Sequence, residues 1–232
     1  MNPYSEDELI EQPAIALLAE IGWETLNCYS EFDQGMSPLG RKTKSEVVLI
    51  SRLQAALQKL NPNATQDVIT EAIEQLTDDA RALLDPVEAN REIYTRLRDG
   101  VTVTRTDPDG ETEITEVLQV IDWENPENND YLAASQLWVT GDMYTKRPDI
   151  VCFVNGIPLI LMEFKRIDGH LRAAYDDNLR DYKDTIPHLF WYNAFIILSN
   201  GTESKVGSLT ASWEHFAEWK RLHSEDEAPM VF

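Results

Sequence analysis

The chain has 232 residues and an ordinary hydrophobic share of 43%, enough to bury a sizeable core. No apolar run approaches the ~20 residues of a membrane span, residues 1–8 are acidic where a secretory signal is basic and then apolar, and two cysteines make neither a disulfide framework nor a zinc cluster. Twenty Lys and Arg against 41 Asp and Glu give a net charge of −21, which argues against tight binding to nucleic acid. The cytoplasm is the expected address, with no membrane partner.

An acidic helix opens the chain, with Leu9, Ile10, Ile15, Leu17, Leu18 and Ile21 as its apolar face and Gly22 as its stop. Pro13 marks where the regular helix begins. Residues 23–28 suit a short strand and 29–44 a loop. Ser45 is placed to cap a helix striped by Leu49, Leu53, Leu57 and Leu60. A third helix carries Val68, Ile69, Ala72, Ile73 and Leu76, and a fourth runs from Asp85-Pro86 to Gly100.

Strand patterns follow. Residues 101–105 alternate, 107–110 turn, and 112–123 return as an antiparallel partner. Residues 124–130 are polar, with a short strand near Leu137-Trp138-Val139. Two apolar arms joined by Asn155-Gly156 read as a hairpin, residues 170–183 as a helix with Leu171, Ala174, Leu179 and Tyr182 inward, and Phe195-Ile196-Ile197-Leu198 as a buried strand. Residues 205–208 suit an edge strand and 213–219 a short aromatic helix. The order predicts an α/β (α+β) fold: an N-terminal helical part, then a mixed central sheet flanked by helices.

The hairpin carries the chemistry. Asp149 stands at the entrance of its first arm, and Glu163 and Lys165 stand at the exit of the second, so the three should meet at one sheet end. Glu163 and Lys165 leave the same face, since strand neighbours two apart point the same way. Two carboxylates and an ammonium are what metal-dependent phosphodiester cleavage needs. Magnesium takes one or two carboxylates plus waters and phosphate, so Asp149 and Glu163 are the expected ligands, with the Phe164 carbonyl as a third. Lys165 would orient water and offset charge on phosphorus. The competing reading is of solvated residues at strand ends. The acid excess spares this region: residues 1–140 hold 10 basic and 27 acidic side chains, and residues 141–183 hold seven of each.

Residues 147–165 resemble the endonuclease motif of the restriction subunit of type I restriction–modification enzymes, the HsdR family, in the PD-(D/E)xK class. Asn90-Arg91-Glu92, Leu97-Arg98-Asp99-Gly100-Val101, the run from Asp122 through Asp130, Ile186-Pro187-His188-Leu189-Phe190 and Ser199-Asn200-Gly201 extend the likeness over most of the chain. The resemblance implies a restriction-endonuclease-like core that cuts double-stranded DNA with Mg²⁺, or with Mn²⁺. It also implies methyltransferase and specificity subunits as partners, and helicase-like motor domains in the same polypeptide. ATP would belong to those motor domains and is not expected to bind these residues.

Asp149, Glu163 and Lys165 match the family's catalytic trio. Its Gln-x-x-x-Tyr motif falls on Asn178 and Tyr182; the tyrosine matches and the shorter asparagine departs, and a lone tyrosine here is otherwise a core residue. Glu11 matches an acidic position that approaches the metal in related nucleases, although on so acidic a helix a solvated glutamate is the expectation. The basic loop of Arg41, Lys42 and Lys44 is expected to touch DNA or the motor. The P-loop-like run from Gly35 to Thr43 is rejected, because an arginine displaces its lysine and the next helix starts later. The four histidines lack metal or triad spacing.

Residues 1–222 are expected to form the endonuclease domain, with a helical part over 1–100 and a nuclease core over 101–210. Residues 223–232 read as a linker toward an absent motor, and the ending as a cut from a longer protein. One rival is a catalytically silent DNA-docking or protein-interaction module of the same fold, favoured by the charge and by Asn178; a stand-alone nuclease is another.

Overall fold

A computed structural model describes residues 7–33, 35, 37–106 and 113–219; the predicted 107–110 turn, the 223–232 linker and His223 lie outside them. A π-helical turn over Asp7–Glu11 runs into α1 (Gln12–Glu20), whose first turn holds Pro13, where a missing N–H costs nothing. Its buried stripe is narrower than the sequence predicts: Ile10 and Leu18 are covered, whereas Leu17 and Ile21 face solvent. Strand β1 (Glu24–Asn27) follows, then α2 (Ile50–Leu60), α3 (Gln66–Leu76) and α4 (Pro86–Asp99). Asp85 caps α4 by accepting from Val87 N at 2.8 Å.

The hairpin β2 (Val101–Thr106) and β3 (Glu113–Leu118) forms its own two-stranded sheet, and β3 ends five residues short of the predicted 123. Next comes β4 (Tyr131–Ser135), which periodicity missed, because four of its five residues are buried and no alternation marks it. The strand expected at Leu137-Trp138-Val139 is only a two-residue ladder, β5 (Val139–Thr140) against β6 (Thr145–Lys146). The motif hairpin is β7 (Ile150–Val154) and β8 (Ile157–Phe164). A π-helical segment over Ala174–Leu179 then continues into α5 (Arg180–Thr185), where the sequence predicts one regular helix. After β9 (Phe195–Ser199) and β10 (Ser204–Gly207), the expected aromatic helix is a single 3-10 turn over Trp213–His215, followed by β11 (Ala217–Glu218). Strand β10 is therefore covered by β11 and is not an edge.

The main sheet has seven strands in the order β1-β4-β7-β8-β9-β10-β11. It is mixed: β1/β4 and β8/β9 run parallel, the other neighbours antiparallel. The α/β class with a central mixed sheet and flanking helices holds. Because β1 belongs to this sheet, the first hundred residues do not stand apart from the rest. One face carries the larger core, including residues of α2 to α5; Ile10 and Leu18 cover Ala133, Ile150, Cys152, Met162 and Phe164 on the other. No helix among the described residues is long and apolar enough to cross a membrane.

The motif hairpin is tied down at its turn. Asn155 (φ 51°) and Gly156 (φ 79°) make the Asn-Gly turn, with both residues left-handed. The buried Asn155 amide donates to Val120 O and Asn129 Oδ1, both at 2.8 Å, and its Oδ1 accepts from Asp130 N at 2.7 Å. Asn129 Oδ1 also accepts from Asp122 N at 2.9 Å, so much of the polar run from 122 to 130 is scaffolding for the hairpin. Gly156 O accepts from Leu49 N at 2.8 Å, and Leu49, not Ser45, stands at the start of α2 with no side-chain cap. A β-carbon on Gly156 would lie 2.6 Å from Leu49 O. Gly156→Ala is therefore expected to destabilise the fold by roughly 2–4 kcal/mol through left-handed strain and backbone collision. Urea denaturation with an unchanged midpoint would refute this.

Candidate active site

The β7/β8 register pairs Ile150 with Met162, so the next residues outward, Asp149 and Glu163, stand side by side. Asp149 Oδ2 accepts from Phe164 N at 2.7 Å, and Asp149 O from Gln136 N at 2.8 Å. Lys165 N donates to Ser199 O at 2.9 Å, which holds the end of β8 against β9. Asp149, Glu163 and Lys165 thus gather at one sheet end.

Glu163 is only 2% exposed. Its Oε1 accepts from the Asn178 amide and from the Tyr182 hydroxyl, the latter at 3.3 Å. Asn178 Oδ1 accepts from Lys165 Nζ at 2.7 Å, so one asparagine bridges the glutamate and the lysine. The departure from glutamine does not break this contact: the shorter side chain reaches both partners from the π-helical segment. Tyr182, one turn further and buried, both packs into the core and touches the site.

Burial pushes the Glu163 carboxyl well above the usual carboxylate range, and neighbouring Asp149 pushes it the same way, against Lys165 and the Asn178 amide. Burial, then the Glu163 charge, pushes the Tyr182 hydroxyl up, which keeps it a neutral donor. Glu163 Oε2 is buried with no hydrogen-bond partner. An orphaned carboxylate oxygen beside a second carboxylate suits a hard divalent cation, which would satisfy the oxygen and offset the repulsion. Among the described residues no three His, Cys, Asp or Glu side chains cluster as metal ligands, so any ion here would rest on two carboxylates, main-chain oxygen and water.

Glu11 is not the solvated residue expected. It is 4% exposed, and its Oε2 accepts from Gln136 Nε2 at 2.6 Å. It does not join Asp149 and Glu163 in a three-carboxylate cluster. Gln136, which sequence reading overlooked, links this glutamate to the Asp149 main chain from a left-handed backbone (φ 56°). No spacing signal marks it, since it follows β4, whose buried residues show no alternation.

Arg41 is likewise no DNA-facing loop residue. Its side chain is fully buried, paired with Glu31 and donating to Glu46 O at 2.9 Å and Trp138 O at 3.0 Å, so its charge is spent inside the fold. Lys42 is exposed, with its main chain tied to Glu46 Oε2 at 2.8 Å. His170 and His215 are exposed, and His188 is half-buried.

Residues 3–215 match the family model described as the type I restriction enzyme R protein N terminus. The chain is 33% identical, over 96% of its length, to the type I restriction enzyme HindI endonuclease subunit of Haemophilus influenzae. It is 29% identical over 98% of its length to the putative type I restriction enzyme MjaIXP endonuclease subunit of Methanocaldococcus jannaschii. A Staphylococcus aureus type I restriction enzyme endonuclease subunit, SauCOLORF180P, is 32% identical over 48% of the chain and 11% of its own length. The chain spans 21% and 22% of the first two relatives. With nearly every described residue inside the matched range, the chain belongs to the family of type I restriction enzyme R protein N termini.

Proposed function

We propose that this chain is the endonuclease domain of a type I restriction subunit and hydrolyses phosphodiester bonds of double-stranded DNA with Mg²⁺ or Mn²⁺. One observation carries the reading: Asp149, Glu163 and Lys165 converge at one sheet end, with Asn178 bridging Glu163 to Lys165. Surface residues at strand ends have no reason to bury a carboxylate to 2% exposure beside another.

Asp149, Glu163 and the Phe164 carbonyl would hold the ion. When bound, it polarises a phosphoryl oxygen and lowers the pKa of a water. The protein's own part is positioning and charge. The Phe164 N–H fixes Asp149, and Asn178 and Tyr182 fix one oxygen of Glu163, leaving the other free to ligate. Lys165, aimed by Asn178, offsets negative charge growing on the phosphoryl group.

The remaining four-fifths of the relatives' length would hold the ATP-driven motor and the contacts to methyltransferase and specificity subunits. A chain of net charge −21 depends on such partners to deliver DNA. The test is plasmid cleavage by the complete assembly with Mg²⁺. Asp149→Ala is expected to abolish cutting and leave ATP hydrolysis intact; wild-type cutting by that variant would sink the assignment.

A further inference from the structure

Beyond the trio, a second group of side chains gathers at the same sheet end. Arg147 packs against two neighbouring rings, its guanidinium carbon 5.0 Å from the Tyr29 centroid and 5.1 Å from that of Trp138. Lys44 Nζ sits 5.0 Å from the Trp138 ring and 5.9 Å from Phe32. The Trp138 indole N–H donates to Tyr29 O at 2.9 Å, which locks the rings together.

Topology explains why they meet. Tyr29 follows the end of β1, Trp138 follows the end of β4, and Arg147 precedes β7. Strands β1 and β4 are parallel and β7 is antiparallel to β4, so all three termini lie at the end that carries Asp149 and Glu163. Arg147 O is 3.5 Å from the Tyr182 hydroxyl, which is 3.3 Å from Glu163 Oε1.

The choice of partner for these cations is informative. In a chain so rich in carboxylates, Arg41, Lys146 and Arg166 are each matched to an acid. Among the described residues Arg147 and Lys44 form no ion pair; each is held on aromatic faces instead. A ring face steadies a cation without neutralising it. It also leaves the in-plane N–H edges of a guanidinium open for a phosphate, which it can bind with two hydrogen bonds. Both side chains are half-buried, so they reach solvent from fixed positions.

We propose that Arg147 and Lys44, set on the Tyr29 and Trp138 rings, form a clamp for backbone phosphates of duplex DNA beside the Asp149/Glu163/Lys165 centre. The clamp rests on the nuclease reading, because DNA must enter that sheet end. It supplies the positive surface that the net charge denies the rest of the chain.

The test uses the full-length subunit in its assembly, with single-turnover plasmid cleavage followed over a range of salt. Lys44→Ala with Arg147→Gln is expected to slow cleavage at least tenfold at physiological salt. The log–log salt slope should become shallower by about two, near 0.9 for each phosphate no longer neutralised. As single variants, Arg147→Lys should keep part of the wild-type rate because the charge stays, and Tyr29→Phe nearly all of it because the ring stays. A second readout leaves both clamp cations in place: Tyr29 replaced by p-benzoylphenylalanine, in a Lys165→Ala background that prevents cutting, should crosslink to duplex DNA on illumination. An unchanged rate and slope in the double variant, or no crosslink, overturns the clamp. If Lys165→Ala itself cuts normally, the nuclease reading fails instead, and the two failures are distinct.

Discussion

Glu163→Gln is expected to abolish cleavage and yet make the metal-free chain more stable. The carboxyl is 2% exposed, sits beside Asp149 and has one oxygen without a partner, so its charge is held at a cost. An amide of the same shape can still accept from Asn178 and Tyr182, and it turns a carboxylate–carboxylate contact into an amide–carboxylate one. A gain of about 1–3 kcal/mol in EDTA follows from the usual cost of an unsatisfied buried group. The pH dependence has a definite sign. The folded-state pKa lies well above the ordinary value of 4.5, so the stability linked to this proton is complete below 4.5 and is lost as pH rises through the raised pKa. The variant should lack that loss, and Mg²⁺ should raise the melting temperature of the wild type more than that of the variant. Thermal melts in EDTA and in Mg²⁺ decide it; a variant melting below wild type in EDTA would contradict this account of the site.

Lys165→Ala and Lys165→Arg are both expected to lose cleavage by about 10²–10³-fold, the range seen when one preorganised charge or donor is removed from a transition state. Lys165 is half-buried and its ammonium is fixed 2.7 Å from Asn178 Oδ1. Arginine carries the charge on a larger, planar and differently hydrated group, which would not place it at the same point. Asn178→Ala, which keeps the lysine but unties it from Glu163, should give a smaller loss. Stability should change by no more than about 3 kcal/mol in the lysine variants, since one hydrogen bond from a charged group and its attraction for Glu163 are at stake. Normal cutting by Lys165→Ala, or loss of cutting only through unfolding, would remove the lysine from the mechanism.

The trio was legible because its elements announce themselves locally. Asn155-Gly156 between two apolar arms is a hairpin in almost any context, and a hairpin returns the chain to its starting end, so Asp149 and Glu163 had to be neighbours. Asp85-Pro86 marked a helix start for an equally local reason. The misreadings have another cause. Strand β4 is interior to the sheet and nearly all buried, so it carries no alternation to detect. Ser45 is a good capping residue beside a helix whose start is held by the Gly156 carbonyl, more than a hundred residues away.

By itself the sequence determined which residue types converge, at which sheet end, and the kind of fold that presents them. Short-range physics, namely turn propensity, strand alternation and helix caps, was enough for that. Only the tertiary structure decided what each charge does. Glu11 and Arg41, exposed on any local reading, are buried because long-range packing supplies Gln136 to one, and Trp138 O beside Glu31 to the other. Lys44, marked in the sequence only as part of a basic loop, and Arg147, which no local pattern sets apart, stay unneutralised because three strand ends bring aromatic rings to them rather than carboxylates. The energy of a charge depends on its surroundings in space, and those are assembled from segments that no local window contains.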